Sequence, residues 1–281
     1  MGRIGRGWAL VKESWAVVRS DRSLLLFPVV AGVCALVVAA LFFGVGAGIG
    51  TAADSFWSAL PFLVVGAYLI MVTGQFCAVA LAACAKESLE GRDTTFREGV
   101  AIARGRLGII LSWAAVQLVV GAAITALQAL LREAAGGLVS GLVGGLANFT
   151  WNVATFFVVP AIALEGLGPR EAIKRSAAVL RERWGEGVVG TATIGGAIFL
   201  VGILPGALIV GAGIALTGST AVAGGAVIAV GVVVVVLAGL LQATLSAVFR
   251  VALYRFATEG DAVGFTPEQL QGAFRPKRRR A

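Results

Sequence analysis

Residues 221–249 read AVAGGAVIAVGVVVVVLAGLLQATLSAVF, a run without one charged side chain. A segment needs roughly 20 apolar residues to cross about 30 Å of hydrocarbon as an α-helix. This run is longer than that and is apolar on every face. It therefore predicts a membrane-spanning helix, and it excludes the alternating strands of a membrane β-barrel.

The rest of the chain has the same character. Of its 281 residues, 58% are hydrophobic and 14% are charged, which is too little polar surface for a soluble domain of this size. The sequence predicts an all-α fold, a polytopic transmembrane helical bundle with residues 1–264 as one membrane domain and 265–281 as a short cytoplasmic helix and polybasic tail. The six predicted spans cover residues 24–48, 58–84, 107–131, 138–164, 188–216 and 221–249.

Basic residues lie almost entirely in the connections on one side of these spans. Of the 23 Lys and Arg residues, 22 lie before span 1 or after spans 2, 4 and 6, and only Arg132 lies in a connection on the other side. Short loops rich in Lys and Arg remain in the cytoplasm. The distribution therefore predicts that both termini are cytoplasmic.

An internal repeat accompanies the even-numbered spans. Each ends in a Glu-Gly pair whose glycine can stop a helix in the left-handed conformation, at Gly91, Gly166 and Gly260. Each pair of spans follows a segment with apolar residues at i, i+4, i+7 and i+11, which indicates an amphipathic helix in the membrane interface. We interpret the fold as three repeats of an interfacial helix plus a two-span hairpin. The three apolar stripes are Ile4, Trp8, Val11 and Trp15; Phe96, Val100, Ala103 and Leu107; and Ile173, Ala177, Leu180 and Trp184.

One segment resembles a known group of proteins. Residues 160–176, PAIALEGLGPREAIKRS, followed by Arg183-Trp184, resemble the signature of uncharacterised prokaryotic six-span integral membrane proteins. The opening Gly5-Arg6-Gly7-Trp8, with Phe27-Pro28 entering span 1, also resembles such a domain of unknown function. The group is similar to the membrane domain of some glycerophosphodiester phosphodiesterases. The resemblance implies a multi-pass protein of the prokaryotic plasma membrane and implies no agreed activity.

The residue types argue against an enzyme. The chain contains no His, which removes the commonest general base and the usual metal ligand. The predicted spans contain no Asp or Glu for catalysis by paired carboxylates. We therefore expect no catalytic residue, no metal and no cofactor. The lack of charge within the spans also disfavours a proton- or cation-driven transporter, although a Na⁺ site built from hydroxyls and carbonyls stays open.

Neutral polar side chains do recur within the spans. Because amides are costly in lipid, we expect these side chains to face the bundle interior. Two interpretations stay open: adhesion between helices through hydrogen bonds, or a polar cavity that binds a headgroup or a neutral solute. Glycines at four-residue spacing, such as Gly202 and Gly206, are weaker signs of helix contact. The candidate cavity residues are Gln75, Gln117, Asn148, Asn152, Thr155 and Gln242.

The C-terminal tail ends in a cluster of cations that we expect to contact anionic lipid headgroups. Nucleic-acid binding is not expected, because no stacking aromatics are interleaved with these cations. The sequence as a whole predicts a non-enzymatic membrane scaffold or accessory subunit that organises lipid or a partner membrane protein at the cytoplasmic face. A permease or lipid-handling protein is the alternative. The tail cations are Arg275, Lys277, Arg278, Arg279 and Arg280.

Overall fold

A computed structural model of the chain describes residues 21–53, 55–182, 196, 198–218 and 220–259. Every regular element among them is helical, so the predicted all-α class is confirmed. A 3-10 turn, Arg22–Leu25, precedes α1. A short helical turn, Val158–Pro160, and a π-helix, Ala161–Glu165, follow α4, and a second π-helix, Phe199–Ile203, precedes α6. The helices are α1 Leu26–Ala52, α2 Phe56–Leu89, α3 Phe96–Gly105, α4 Leu107–Ala154, α5 Pro169–Glu182, α6 Leu204–Thr217 and α7 Ala221–Glu259.

The described residues contain five helical segments that are long and apolar enough to cross a membrane. Six spans were predicted. One segment, Leu107–Glu165, contains the third and fourth predicted spans, and residues 188–195 of the fifth lie outside the described residues. In every segment, no more than 17% of the most apolar stretch is buried. The helices therefore present wide apolar faces, as expected for a membrane protein. The segments are Ser23–Ala52, Phe56–Leu89, Leu107–Glu165, Phe199–Thr217 and Ala221–Glu259.

The chain divides into two compact units. The first unit comprises Leu26–Cys84 and Thr94–Glu182. The second comprises Met1–Leu25, Ala85–Asp93 and Arg183–Ala281, of which residues 21–25, 85–93, 196, 198–218 and 220–259 are described. The last turn of α2 thus belongs to the second unit, together with α6 and α7.

In the first unit, α1 and α2 pack closely at glycines. A Cβ atom added to Gly66 would lie 2.7 Å from the Cβ of Phe42, and one added to Gly46 would lie 3.2 Å from the Cβ of Phe62. Side chains of one helix therefore occupy the space that these glycines leave open on the other, and the two backbones come close together.

Helix α4 reverses direction at Gly136. Its backbone angles there, φ 82° and ψ 170°, lie in a region that is essentially restricted to glycine. The Ser140 hydroxyl donates a hydrogen bond to the Gln128 carbonyl at 2.6 Å, and the rings of Trp113 and Trp151 stack with centroids 5.9 Å apart. Residues 107–135 and 137–154 therefore run antiparallel, side by side.

In the second unit, α6 and α7 form an antiparallel pair whose contact is made of glycines seven residues apart. These are Gly206 and Gly213 on α6, and Gly224 and Gly231 on α7. A Cβ added to Gly224 would lie 2.7 Å from the backbone nitrogen of Thr217 and 2.9 Å from the carbonyl oxygen of Gly213. Such distances leave no room for a side chain, so the two backbones can approach this closely only at glycine.

Candidate functional site

One end of the first unit brings together α3, α5 and the ends of several longer helices. The rings of Phe27 on α1 and Phe96 on α3 stack with centroids 4.7 Å apart. A Cβ added to Gly99 of α3 would lie 2.6 Å from the Cys84 sulfur at the end of the α2 portion of this unit. We call residues 94–106 and 161–182 the basic end. Its cations are Arg97, Arg104, Arg106, Arg170, Lys174, Arg175 and Arg181.

Helix α3 begins at a capping box. The Thr95 hydroxyl accepts a hydrogen bond from the Glu98 backbone N–H, and the Glu98 carboxylate accepts one from the Thr95 N–H at 2.9 Å. Gly99 and Ala103 are buried, whereas Arg97, Glu98 and Arg104 are exposed. The helix therefore packs one side against the unit and leaves its charges outside. Within the predicted stripe, Phe96 and Val100 are half-buried, but Leu107 is exposed.

Helix α5 is docked on a break in the preceding segment. Regular α-helix ends at Ala154, and the Phe157 backbone N–H donates a hydrogen bond to the Ser176 hydroxyl at 3.0 Å, a fully buried contact. This bond turns Ser176 inward. The buried face is consequently displaced by about one position from the predicted stripe at Ile173 and Ala177. It consists of Ala172, Ser176, Val179 and Leu180.

Two of the three predicted glycine stops are confirmed. Gly91 has φ 74° and Gly166 has φ 69°, both left-handed. Gly260 lies outside the described residues, as do the first predicted stripe and Trp184. The carboxylate before Gly166 is paired, because Arg175 Nε lies 3.3 Å from Glu165 Oε1.

Arg106 connects the start of α4 to the π-helix Ala161–Glu165. Its Nη1 donates a hydrogen bond to the Ile162 carbonyl at 2.6 Å. Its Nε would lie 3.9 Å from a Cβ added to Gly166. Burial lowers the pKa of the Arg106 guanidinium. No carboxylate among the described residues forms an ion pair with Arg106.

The second unit has an ion cluster around a buried arginine. Arg255 on α7 is 8% exposed, and its Nη1 lies 2.9 Å from Glu90 Oε1 while its Nη2 lies 3.0 Å from Glu259 Oε2. Glu90 also pairs with Arg92 and Lys86. A buried cation is tolerated where acids and hydrogen bonds compensate for lost hydration. Arg255 therefore joins the chain after α2 to the end of α7. In the sequence, only the pair with Glu259 could have been predicted, from its i, i+4 spacing.

Three of the candidate cavity residues make hydrogen bonds within the first unit. Gln75 Oε1 accepts a hydrogen bond from Trp113 Nε1 at 3.2 Å, which joins α2 to α4. Asn148 donates to the Gly144 carbonyl of its own helix at 2.9 Å. Thr155 likewise donates to the Trp151 carbonyl at 2.7 Å.

Asn148 and Asn152 lie on the exposed side of their helix within the first unit, and their expected inward orientation in the bundle stays a prediction. The side that contacts the first half of α4 is occupied by Gly144 and Trp151 instead. Gln117 is half-buried in the first unit, whereas Gln242 belongs to the second unit. The tail cations Arg275, Lys277, Arg278, Arg279 and Arg280 lie outside the described residues.

Comparison with known proteins gives one match. Residues 56–265, which include α2 to α7, match the family described as "Family of unknown function (DUF6159)". No curated protein and no solved structure matches the chain. An uncharacterised family is thus confirmed, and the comparisons give no support to the likeness with the membrane domain of glycerophosphodiester phosphodiesterases.

Proposed function

The chain belongs to the DUF6159 family, and we propose that it is a non-enzymatic integral membrane protein, a scaffold or accessory subunit that organises lipid or a partner membrane protein. It acts at the cytoplasmic face of a prokaryotic plasma membrane. In this proposal the chain crosses the membrane six times with both termini in the cytoplasm. Each of three repeats contributes an interfacial helix and a two-span hairpin, and the polybasic tail lies on anionic headgroups.

The antiparallel halves of α4 support the count of six. At about 1.5 Å per residue, residues 107–135 extend over roughly 40 Å, which is more than the hydrocarbon thickness. After the reversal at Gly136, the chain returns along the same length to Glu165. If this segment crossed the membrane only once, an apolar half of it would lie outside the hydrocarbon. Two crossings also keep α3 and α5 on one side.

The main support for the proposal is that charged and apolar side chains lie in different parts of the first unit. Its cations other than Arg132 lie at the basic end, and its long helices present apolar side chains on their outer faces. Leu138, for example, is 87% exposed, which in a membrane means contact with lipid or with another helix. A surface of cations at headgroup depth, next to wide apolar faces, suits a protein that holds lipid and partner helices.

A permease remains the second candidate because two membrane-length segments are interrupted. Regular helix is lost at Thr155–Phe157, and π-helix replaces α-helix at Phe199–Ile203, just before Pro205. Transporters often bind their solutes where spanning helices are broken. Asn152, at the first break, would then contact the solute.

Co-isolation in native lipid separates the two candidates. The full chain is extracted in lipid nanodiscs without detergent, and retained lipids and proteins are identified by native mass spectrometry. The scaffold proposal expects a stoichiometric protein or anionic lipid that Asn152→Leu leaves in place. Solute uptake into proteoliposomes that disappears in Asn152→Leu would overturn it in favour of the permease. Gln128→Leu, on the opposite half of the hairpin, controls for the loss of an amide.

A further inference from the structure

The Arg106 guanidinium donates a hydrogen bond to one neutral group, and two of its nitrogens have no acceptor among the described residues. Nη1 is engaged by the Ile162 carbonyl at 2.6 Å. Within the part of the chain that the structure describes, no residue accepts a hydrogen bond from Nε or Nη2 of Arg106. These two nitrogens form the side edge of the guanidinium, which can donate two parallel hydrogen bonds to two oxygens of one anion.

None of the described carboxylates forms an ion pair with Arg106. Glu98 belongs to the capping box of α3, and Glu165 is paired with Arg175. A guanidinium that is partly withdrawn from water without an anionic partner is costly, so an anion from outside the chain would stabilise this arrangement.

There is room for that anion beside Arg106. A Cβ atom added to Gly166 would lie 3.9 Å from Arg106 Nε and would meet no other atom within 4 Å, so there is open space beside Nε. Gly166, whose left-handed backbone excludes most side chains, leaves the flank of Nε open. A side chain at this position would narrow the approach to the guanidinium edge.

We propose that Arg106 binds the phosphate of an anionic phospholipid headgroup through Nε and Nη2. The inference rests on the proposed function, because it requires the basic end to lie at headgroup depth. In that position Arg106 begins a spanning helix, where lipid phosphates are the most concentrated anions. The shared chemistry is a phosphate ester, and the membrane supplies it in preference to free phosphate. The carbonyl of Ile162 fixes the guanidinium, so the site selects a headgroup by geometry as well as by charge.

The test compares lipid retention by variants of the full chain in nanodiscs. Phosphatidylglycerol is added to phosphatidylcholine nanodiscs, and bound lipid is counted by native mass spectrometry. Arg106→Gln is expected to weaken phosphatidylglycerol binding roughly tenfold or more, since two charge-assisted hydrogen bonds are lost. Arg106→Lys keeps the charge but loses the paired donors, and is expected to lose most of the affinity. The matched control Arg104→Gln removes an exposed cation of the same segment and should weaken binding less than about fivefold, the effect of one cation near an anionic leaflet without paired hydrogen bonds.

Three outcomes would overturn the proposal. Equal losses in Arg104→Gln and Arg106→Gln would show general attraction to a basic face. Displacement of the lipid by millimolar inorganic phosphate or glycerol phosphate would identify free phosphate as the ligand. Retention of lipid by the wild type and by Arg106→Gln alike would remove the site and leave the proposed function intact, whereas a wild type that holds neither lipid nor protein would refute the function itself.

Because Arg106→Gln also loses the bond to Ile162, a second measurement uses the unmodified protein. Phenylglyoxal modifies accessible guanidinium groups, and peptide mass spectrometry reports each arginine separately. Phosphatidylglycerol is expected to protect Arg106 and to leave Arg104 reactive. Equal reactivity of Arg106 in phosphatidylglycerol and phosphatidylcholine would refute the site.

Discussion

The glycine contact between α6 and α7 gives a sharp prediction, because two adjacent glycines differ in their surroundings. Gly224 lies in the contact with α6, whereas Gly225 faces open space. In Gly224→Ala the new methyl group would lie 2.7 Å from the Thr217 backbone nitrogen, against about 3.4 Å for ordinary contact. The helices must therefore separate by roughly 0.7 Å, the difference between those distances. In Gly225→Ala the methyl group meets nothing within 4 Å.

The magnitudes follow from two opposing effects. Overpacking a close contact costs about 1–3 kcal/mol, and replacing glycine by alanine within a helix contributes up to about 1 kcal/mol in the other direction. We expect Gly224→Ala to be destabilised by about 1–2 kcal/mol and Gly225→Ala to be neutral or slightly stabilised. The two variants differ by one position and share one chemical change, so composition and helix propensity are matched.

Unfolding in mixed micelles measures the difference. The protein is titrated with dodecyl sulfate in lipid-like detergent, and helix content is followed by far-ultraviolet circular dichroism. Equal midpoints for Gly224→Ala and Gly225→Ala would refute the contact. Gly213→Ala, whose methyl group would lie 2.7 Å from the Ile228 nitrogen, is expected to resemble Gly224→Ala. The double variant Gly213→Ala/Gly224→Ala should lose less free energy of unfolding than the two single variants lose in sum, because one separation of the helices relieves both clashes.

Two further predictions concern the first unit. Ser176→Ala leaves the buried Phe157 N–H without its acceptor and should cost about 1–3 kcal/mol; the same unfolding titration should show almost no change for the exposed Ser112→Ala. Gly136→Ala places a side chain in a backbone region that only glycine occupies readily and should cost about 1–3 kcal/mol. Its neighbour Gly137→Ala, which has open space, controls for composition, and equal thermal midpoints of these two variants would contradict the reversal at residue 136.

The helices and their stops follow from local sequence. The first apolar run, predicted at 24–48, is observed as Leu26–Ala52. Gly91 and Gly166 stop helices as predicted, because a glycine just after the last residues of a helix can take the left-handed conformation without strain. Helix α7 extends ten residues beyond the predicted limit of 249, to Glu259. The charge of Arg255 in this extension is compensated by Glu90 and Glu259, and this compensation involves a residue distant in the sequence.

Contacts between residues that are distant in the sequence could not be predicted from the sequence alone. The contact between Arg106 and the Ile162 carbonyl joins residues 56 positions apart, and no periodic pattern marks it. The break at Thr155–Phe157 does have a local signal, because Pro160 has no N–H to bond the carbonyl of Phe156, four residues earlier. The seven-residue glycine spacing is visible in the sequence, yet only the pairing of two helices distinguishes Gly224 from Gly225. Likewise, the position of an amide such as Asn148 does not show which side of its helix faces another helix. That side is known only once the neighbouring helix is placed.

Cysteine labelling measures directly whether residues 107–165 cross the membrane twice. In a variant without the three native cysteines, single cysteines are introduced as Gly105→Cys, Ala135→Cys and Leu167→Cys, and intact cells are treated with a membrane-impermeant maleimide. We expect labelling at position 135 alone, with positions 105 and 167 labelled only after the cells are opened. Labelling of positions 105 and 167 from opposite sides of the membrane would mean a single crossing by residues 107–165 and would contradict the six-span arrangement.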